Sequence, residues 1–193
     1  MKRMKKFAML SLALAVVVPV SVSAARDLDG SVKAAGRPQK NAVVWLEAST
    51  AGAPPPPKAV LNQTHLSFEP EVLAIRAGTI VRFPNNDTVL HNVFSFRDGK
   101  KFDLGIYPVG ASKEVKFENP GLSRIFCNIH SNMAAYILAV DSPYFAVSDA
   151  AGRFVLKGVP DGTYTYHAWR ANGPDLSGTA TVASGARLDV VWP

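Results

Sequence analysis

The sequence predicts an all-β protein made of two β-sandwiches. Beyond Val72 the chain falls into short apolar runs bounded by Gly, Pro, Asn and Asp, and no stretch keeps a helical period. Thr79, Val81 and Phe83 alternate with Ile80 and Arg82, and Val115 and Phe117 alternate with Glu114 and Lys116, the mark of strands with one buried face. Two stretches punctuate the chain: Pro54-Pro55-Pro56-Pro57 and Asp141-Ser142-Pro143.

Met1 to Ala24 carries Lys2, Arg3, Lys5 and Lys6, then the apolar run Phe7 to Val20, then Ser21-Val22-Ser23-Ala24 before Ala25. This order reads as a cleaved secretory signal peptide, and the expected destination is the periplasm. The apolar run is too short to span a bilayer comfortably, and no cysteine follows it to accept a lipid, so no membrane anchor is expected after cleavage. Cleavage takes four cations from a formal net charge of +6 and leaves +2. The basic balance thus belongs to the leader, and nucleic acid is not an expected partner.

About 170 residues remain, enough for two small domains. Asp27 to Lys33 and Asn41 to Glu47 read as strands around the Gly36-Arg37-Pro38 turn. The tetraproline within Ser49 to Lys58 reads as a stiff spacer. Phe96 to Gly110, with Arg97, Lys100 and Lys101, reads as a long irregular loop, either merely solvated or able to steer an acidic partner. After Pro143 come Tyr144 to Val147, Arg153 to Leu156, Thr163 to Trp169, Gly178 to Val182 and Leu188 to Trp192, strands separated by Gly-rich turns. Roughly fifty residues make a thin core. Residues 25–53 are therefore expected to complete the sandwich of residues 142–193, with 54–58 a linker and 59–141 a separate domain inserted between them.

The chemistry concentrates around Cys127, the one cysteine, in Phe126-Cys127-Asn128-Ile129-His130-Ser131-Asn132-Met133. In an oxidising compartment a single cysteine makes no internal disulfide, so it is buried, intermolecular or metal-bound. With His91 from an upstream strand, the loop supplies two imidazoles, one thiolate and one thioether. That is the donor set of a blue-copper electron-transfer site, a trigonal His2Cys plane with a weak axial Met. Zinc is the competing metal, but structural zinc takes more thiolates than this chain has, and a thioether suits it poorly. A lone Cys is otherwise a small buried hydrophobe, and Met133 at a strand start could be core.

Residues from about Gln63 to Val140 resemble the plastocyanin and amicyanin branch of the cupredoxins. The resemblance lies in Ile75-Arg76-Ala77-Gly78-Thr79-Ile80-Val81-Arg82-Phe83, Asn86-Asp87, His91-Asn92-Val93, Asn119-Pro120-Gly121 and Ile125-Phe126-Cys127 with the His and Met that follow. It implies a Greek-key cupredoxin sandwich holding one type 1 copper ion on His91, Cys127, His130 and Met133. It also implies that the Asn92 side chain ties the first His strand to the Cys loop. The spacing from His130 to Met133 matches amicyanin, with Ser131 where amicyanin carries a proline. The wider chain is similar to exported methylamine-utilization proteins, in which a cupredoxin is joined to a carboxypeptidase-regulatory-like or prealbumin-like β-domain. Redox partners, a dehydrogenase and a c-type cytochrome, are implied by that resemblance alone.

His65 and His167 read as structural or surface histidines. Trp45, Trp169 and Trp192 could line a sugar-binding face but suit a sandwich core equally. No Ser/His/Asp arrangement, paired-carboxylate signature or phosphate loop is evident, so the expectation is an electron carrier rather than an enzyme. Copper delivery, and a β-sandwich binding module with a secondary copper site, are the alternatives.

Overall fold

The computed structural model of the chain describes residues 24–96 and 99–193; the expected leader lies outside the described residues except for Ala24, as does Arg97 of the basic cluster. Every regular element among the described residues is a strand: β1 Ala25–Ala34, β2 Arg37–Pro38, β3 Val43–Leu46, β4 Ala59–Val60, β5 Asn62–Thr64, β6 Ser67–Glu69, β7 Val72–Arg76, β8 Thr79–Pro84, β9 His91–Ser95, β10 Phe102–Tyr107, β11 Ser112–Phe117, β12 Gly121–Phe126, β13 Ala134–Val140, β14 Phe145–Val147, β15 Arg153–Pro160, β16 Gly162–Trp169, β17 Leu176–Val182 and β18 Arg187–Trp192. No helix of the described residues is long and apolar enough to cross a membrane.

The fold is all-β, as the alternation predicts. One sandwich sets the sheet β10-β9-β12-β13-β7 against β11-β8-β4, with the β5–β6 hairpin beside them. Strand β12 returns to lie beside β9 rather than β11, which is Greek-key connectivity. Val81, Phe83, Phe117, Ile125 and Ile137 fill its interior. The alternation of β8 and β11 works as expected: Val81, Phe83, Val115 and Phe117 point in, and Arg82 and Glu114 point out.

The second, smaller sandwich joins the two ends of the chain. β1 lies between β15, antiparallel, and β18, parallel. β3 lies between β14 and β16, with β17 beyond. The core shares Leu28, Val32, Val44 and Leu46 from the N-terminal strands with Leu156, Val190 and Trp192 from the C-terminal ones. Burying both sets together supplies the core that either segment lacks alone. At Gly30 the two halves approach so closely that a Cβ would sit 2.2 Å from the Phe154 ring and 2.4 Å from the Leu188 carbonyl.

The two sandwiches meet along a third apolar layer. Ala135, Ile137 and Ala139 of β13 enter the first core, while Leu138 and Val140 face outward against Val43 and Trp169. A strand covered on both faces needs no polar alternation, which is why Ala134–Val140 is almost unbroken apolar sequence. β3 does the same from the other side, with Val44 and Leu46 inward and Val43 in the seam.

One expectation needs correction. The stretch Phe96 to Gly110 is not simply an irregular loop, because β10 pairs antiparallel with β9 along its second half. A register shift between Asp103 and Ile106, with Gly105 at φ 64°, breaks the alternation that would have revealed it. The tetraproline lines a groove with Ile75, Arg76, Thr79 and Phe145, and the Arg76 guanidinium donates to the Pro54 carbonyl.

Candidate metal centre

The site forms at one end of the first sandwich, where β9 begins and the β12–β13 connection turns. His91 opens β9, is fully buried, and pairs with Tyr107 of β10. Cys127 follows the last residue of β12 and Met133 precedes the first of β13. The loop between them is tied at both ends: the Cys127 N–H donates to the Met133 carbonyl at 3.2 Å and the Met133 N–H to the His130 carbonyl at 2.9 Å. The side chains of Cys127 and Met133 belong to the sandwich core, whereas His130 is half-buried.

Three donor atoms converge. His91 Nδ1 and His130 Nδ1 are 3.1 Å apart, and Cys127 Sγ lies 4.0 Å from the first and 3.8 Å from the second. The circle through these atoms has a radius of about 2.1 Å, within the range of metal–imidazole and metal–thiolate bonds. Two imidazoles and one thiol thus fit a single first-row metal ion in trigonal array. Among the described residues this is the one cluster of three or more His, Cys, Asp or Glu side chains suited to a metal. The soft thiolate and the thioether favour copper over zinc.

The surroundings hold these donors still. The Asn92 N–H points at Cys127 Sγ at 3.5 Å, so the backbone of the His strand contacts the thiolate directly. The Asn92 side chain does something other than the resemblance implies: its amide donates to Asp103 Oδ1 at 2.8 Å, binding β9 to β10 instead of to the Cys loop. Sequence reasoning also missed Asp87, whose Oδ2 lies 3.0 Å from His91 Nε2. Its signal was the placement of a carboxylate four residues before the histidine, in a loop rich in turn-forming side chains. Donation by the Leu66 N–H, then by His91 and the Thr88 N–H, holds the Asp87 carboxyl far below the usual carboxylate range.

Behind His91, Gln63 Nε2 donates to the Tyr107 hydroxyl at 2.5 Å and that hydroxyl donates to the Phe83 carbonyl at 2.9 Å. Burial pushes the Tyr107 phenol up to about 12. The folded pKa exceeds the free value of about 10. The contribution is therefore complete below pH ~10 and is lost as pH rises toward 12. Urea midpoints measured from pH 9 to 11.5 should fall more steeply for the native protein than for Tyr107→Phe. Parallel curves would show that the phenol is not protected.

His65 and His167 stay away from the donor triangle. His65 is exposed in the β5–β6 turn. His167 stacks on Trp45 with ring centroids 5.1 Å apart and reaches Glu47 Oε1 at 2.7 Å. Trp192 is core, and Trp169 and Trp45 belong to the seam between sandwiches.

No protein-family model matches the sequence, and no curated protein sequence matches it either. Solved structures do show likeness. A purple cupredoxin from Nitrosopumilus maritimus is 24% identical over 43% of this chain and 98% of its own, with a TM-score of 0.38. A Cu-containing nitrite reductase from Thermus scotoductus SA-01 is 24% identical over 43% of this chain and 22% of its own, with a TM-score of 0.41. A reduced-state amicyanin variant is 15% identical over 53% of this chain and all of its own, with a TM-score of 0.39.

Proposed function

We propose that this protein is an exported one-electron carrier that holds a type 1 copper ion between His91, Cys127, His130 and Met133. The observation that carries the reading is the closed triangle of two Nδ1 atoms and one Sγ, all in reach of one ion. When bound, copper supplies reversible Cu(I)/Cu(II) chemistry. The protein's part is to keep the donors from rearranging: His91 is fully buried, Met133 is 1% exposed, and Cys127 is 5% exposed. A site that enforces one geometry for both oxidation states keeps reorganisation small, which suits a carrier better than a catalyst or a delivery protein.

His130 is the ligand side chain that reaches the surface. Val89, Leu90, Pro108, Val109 and Ile129 surround it, and Leu90 and Val109 are each about half exposed. This uncharged collar fits a redox protein that docks briefly and exchanges an electron across the imidazole edge. A dehydrogenase and a c-type cytochrome are the partners proposed, by resemblance to exported methylamine-utilization proteins. The signal-like leader supports a periplasmic location.

The test is the visible and electron-spin-resonance spectrum of the Cu(II)-loaded protein beside Cys127→Ser. The expected result is an intense thiolate-to-copper band with narrow hyperfine splitting, both abolished by the substitution. Ordinary tetragonal copper that ignores Cys127 would overturn the reading.

A further inference from the structure

We infer that Asp87 is a positioning residue that fixes the tautomer of His91 and, through that ring, biases the site toward the oxidised ion. The inference rests on the copper reading for its redox half and on geometry alone for its tautomer half.

An imidazole can present a lone pair on either ring nitrogen, and a ligand histidine is useful only if the correct one is free. His91 Nδ1 faces the other two donors, while Nε2 lies 3.0 Å from Asp87 Oδ2. A carboxylate accepts and cannot donate, so a neutral His91 ring beside it carries its proton on Nε2 and its lone pair on Nδ1. Because His91 is fully buried, no water competes for that proton.

Asp87 can impose this because it is itself immobilised. Its Oδ2 also accepts the Leu66 N–H at 2.7 Å, its Oδ1 accepts the Thr88 N–H at 2.7 Å, and its own N–H donates to Asn85 Oδ1 at 3.1 Å. Leu66 belongs to the β5–β6 turn, where His65 and Leu66 both adopt the left-handed backbone, at φ 52° and 54°. Two consecutive non-glycine residues in that region are costly, and glycine or asparagine is the usual choice there. What the turn gains is a backbone N–H aimed at the carboxylate that orients His91. The hairpin thus braces His91 through Asp87.

The ionised carboxylate also adds electron density to the ring. A more basic Nδ1 favours the more highly charged ion, so removing the charge should weaken Cu(II) binding more than Cu(I) binding and raise the reduction potential.

The experiment compares the full chain with Asp87→Asn and Asp87→Ala by three readouts. Nitrogen-15 NMR of the metal-free protein should show His91 protonated solely at Nε2, and Asp87→Ala should populate both tautomers. Competition with a chelator should show Cu(II) held about 10- to 100-fold less tightly in Asp87→Ala. Asp87→Asn, which keeps an acceptor oxygen but not the charge, should raise the potential; a tenfold preferential loss of Cu(II) affinity corresponds to about 59 mV. Lowered thermal stability with tautomer and potential unchanged would overturn the inference and leave Asp87 as a hairpin anchor only. Failure of the copper reading is seen separately, as a native protein with no thiolate-to-copper band. The NMR result stands or falls without copper.

Discussion

Replacing Trp192 by alanine should cost about 3–5 kcal/mol and unfold the smaller sandwich. Its ring is 1% exposed, its Nε1–H donates to the Pro174 carbonyl at 2.7 Å, and the Arg170 guanidinium sits 5.4 Å from its centroid. The loss is a large part of the roughly 5–15 kcal/mol that holds a typical domain together. The residue lies on β18, whose partner is β1, so the damage should reach the N-terminal strand 158 positions back along the chain, where Ser31 bonds Asp189. Calorimetry should show the transition of the smaller sandwich lowered or absent while the thiolate-to-copper band persists. Loss of the band in step with the smaller sandwich would mean that the seam of Val43, Val72, Leu138, Val140 and Trp169 fuses both into one cooperative unit.

Copper should act in the opposite place. An ion bound only by the folded site at 1,000 times its dissociation constant adds about 4 kcal/mol, less whatever the unfolded thiolate retains. The gain should appear in the melting of the sandwich that contains His91, Cys127 and His130. The smaller sandwich should shift little, and Cys127→Ser should remove most of the gain. Equal stabilisation of wild type and Cys127→Ser would place the ion elsewhere.

The sequence made Cys127, His130 and most strands legible because these are written in residue type at short range, whereas His91 joins them from 36 positions away. Thr79, Val81 and Phe83 announce a half-buried strand by alternation, and Cys127 and His130 announce two converging donors by spacing. What stayed hidden depends on partners distant in the chain or on broken periodicity. β10 escaped notice because its bulge puts both Gly105 and Ile106 on exposed positions. Ala134–Val140 gave no clue to which residues face the seam, since both of its faces are covered. The role of Asp87 depends on Leu66, 21 residues earlier, and on a turn that adopts left-handed backbone without a glycine to signal it. The side chain of Asn92 has two plausible anchors, and only the pairing of β9 with β10 selects Asp103.

The arrangement in which one sandwich interrupts the other also dictates an order of assembly. β1 emerges early in synthesis but needs β18, whose pairing runs from Asp29↔Arg187 to Ala34↔Trp192. Closing so long a loop from an unstructured chain is entropically expensive and slow. The interrupting sandwich draws its contacts from within residues 59–140, so it can form first and bring Leu46 and Phe145 toward each other. The loop that β1 must then close contains a folded body rather than a free coil. Substitutions that slow the copper-site sandwich should therefore delay the other as well, including substitutions that leave its finished contacts untouched.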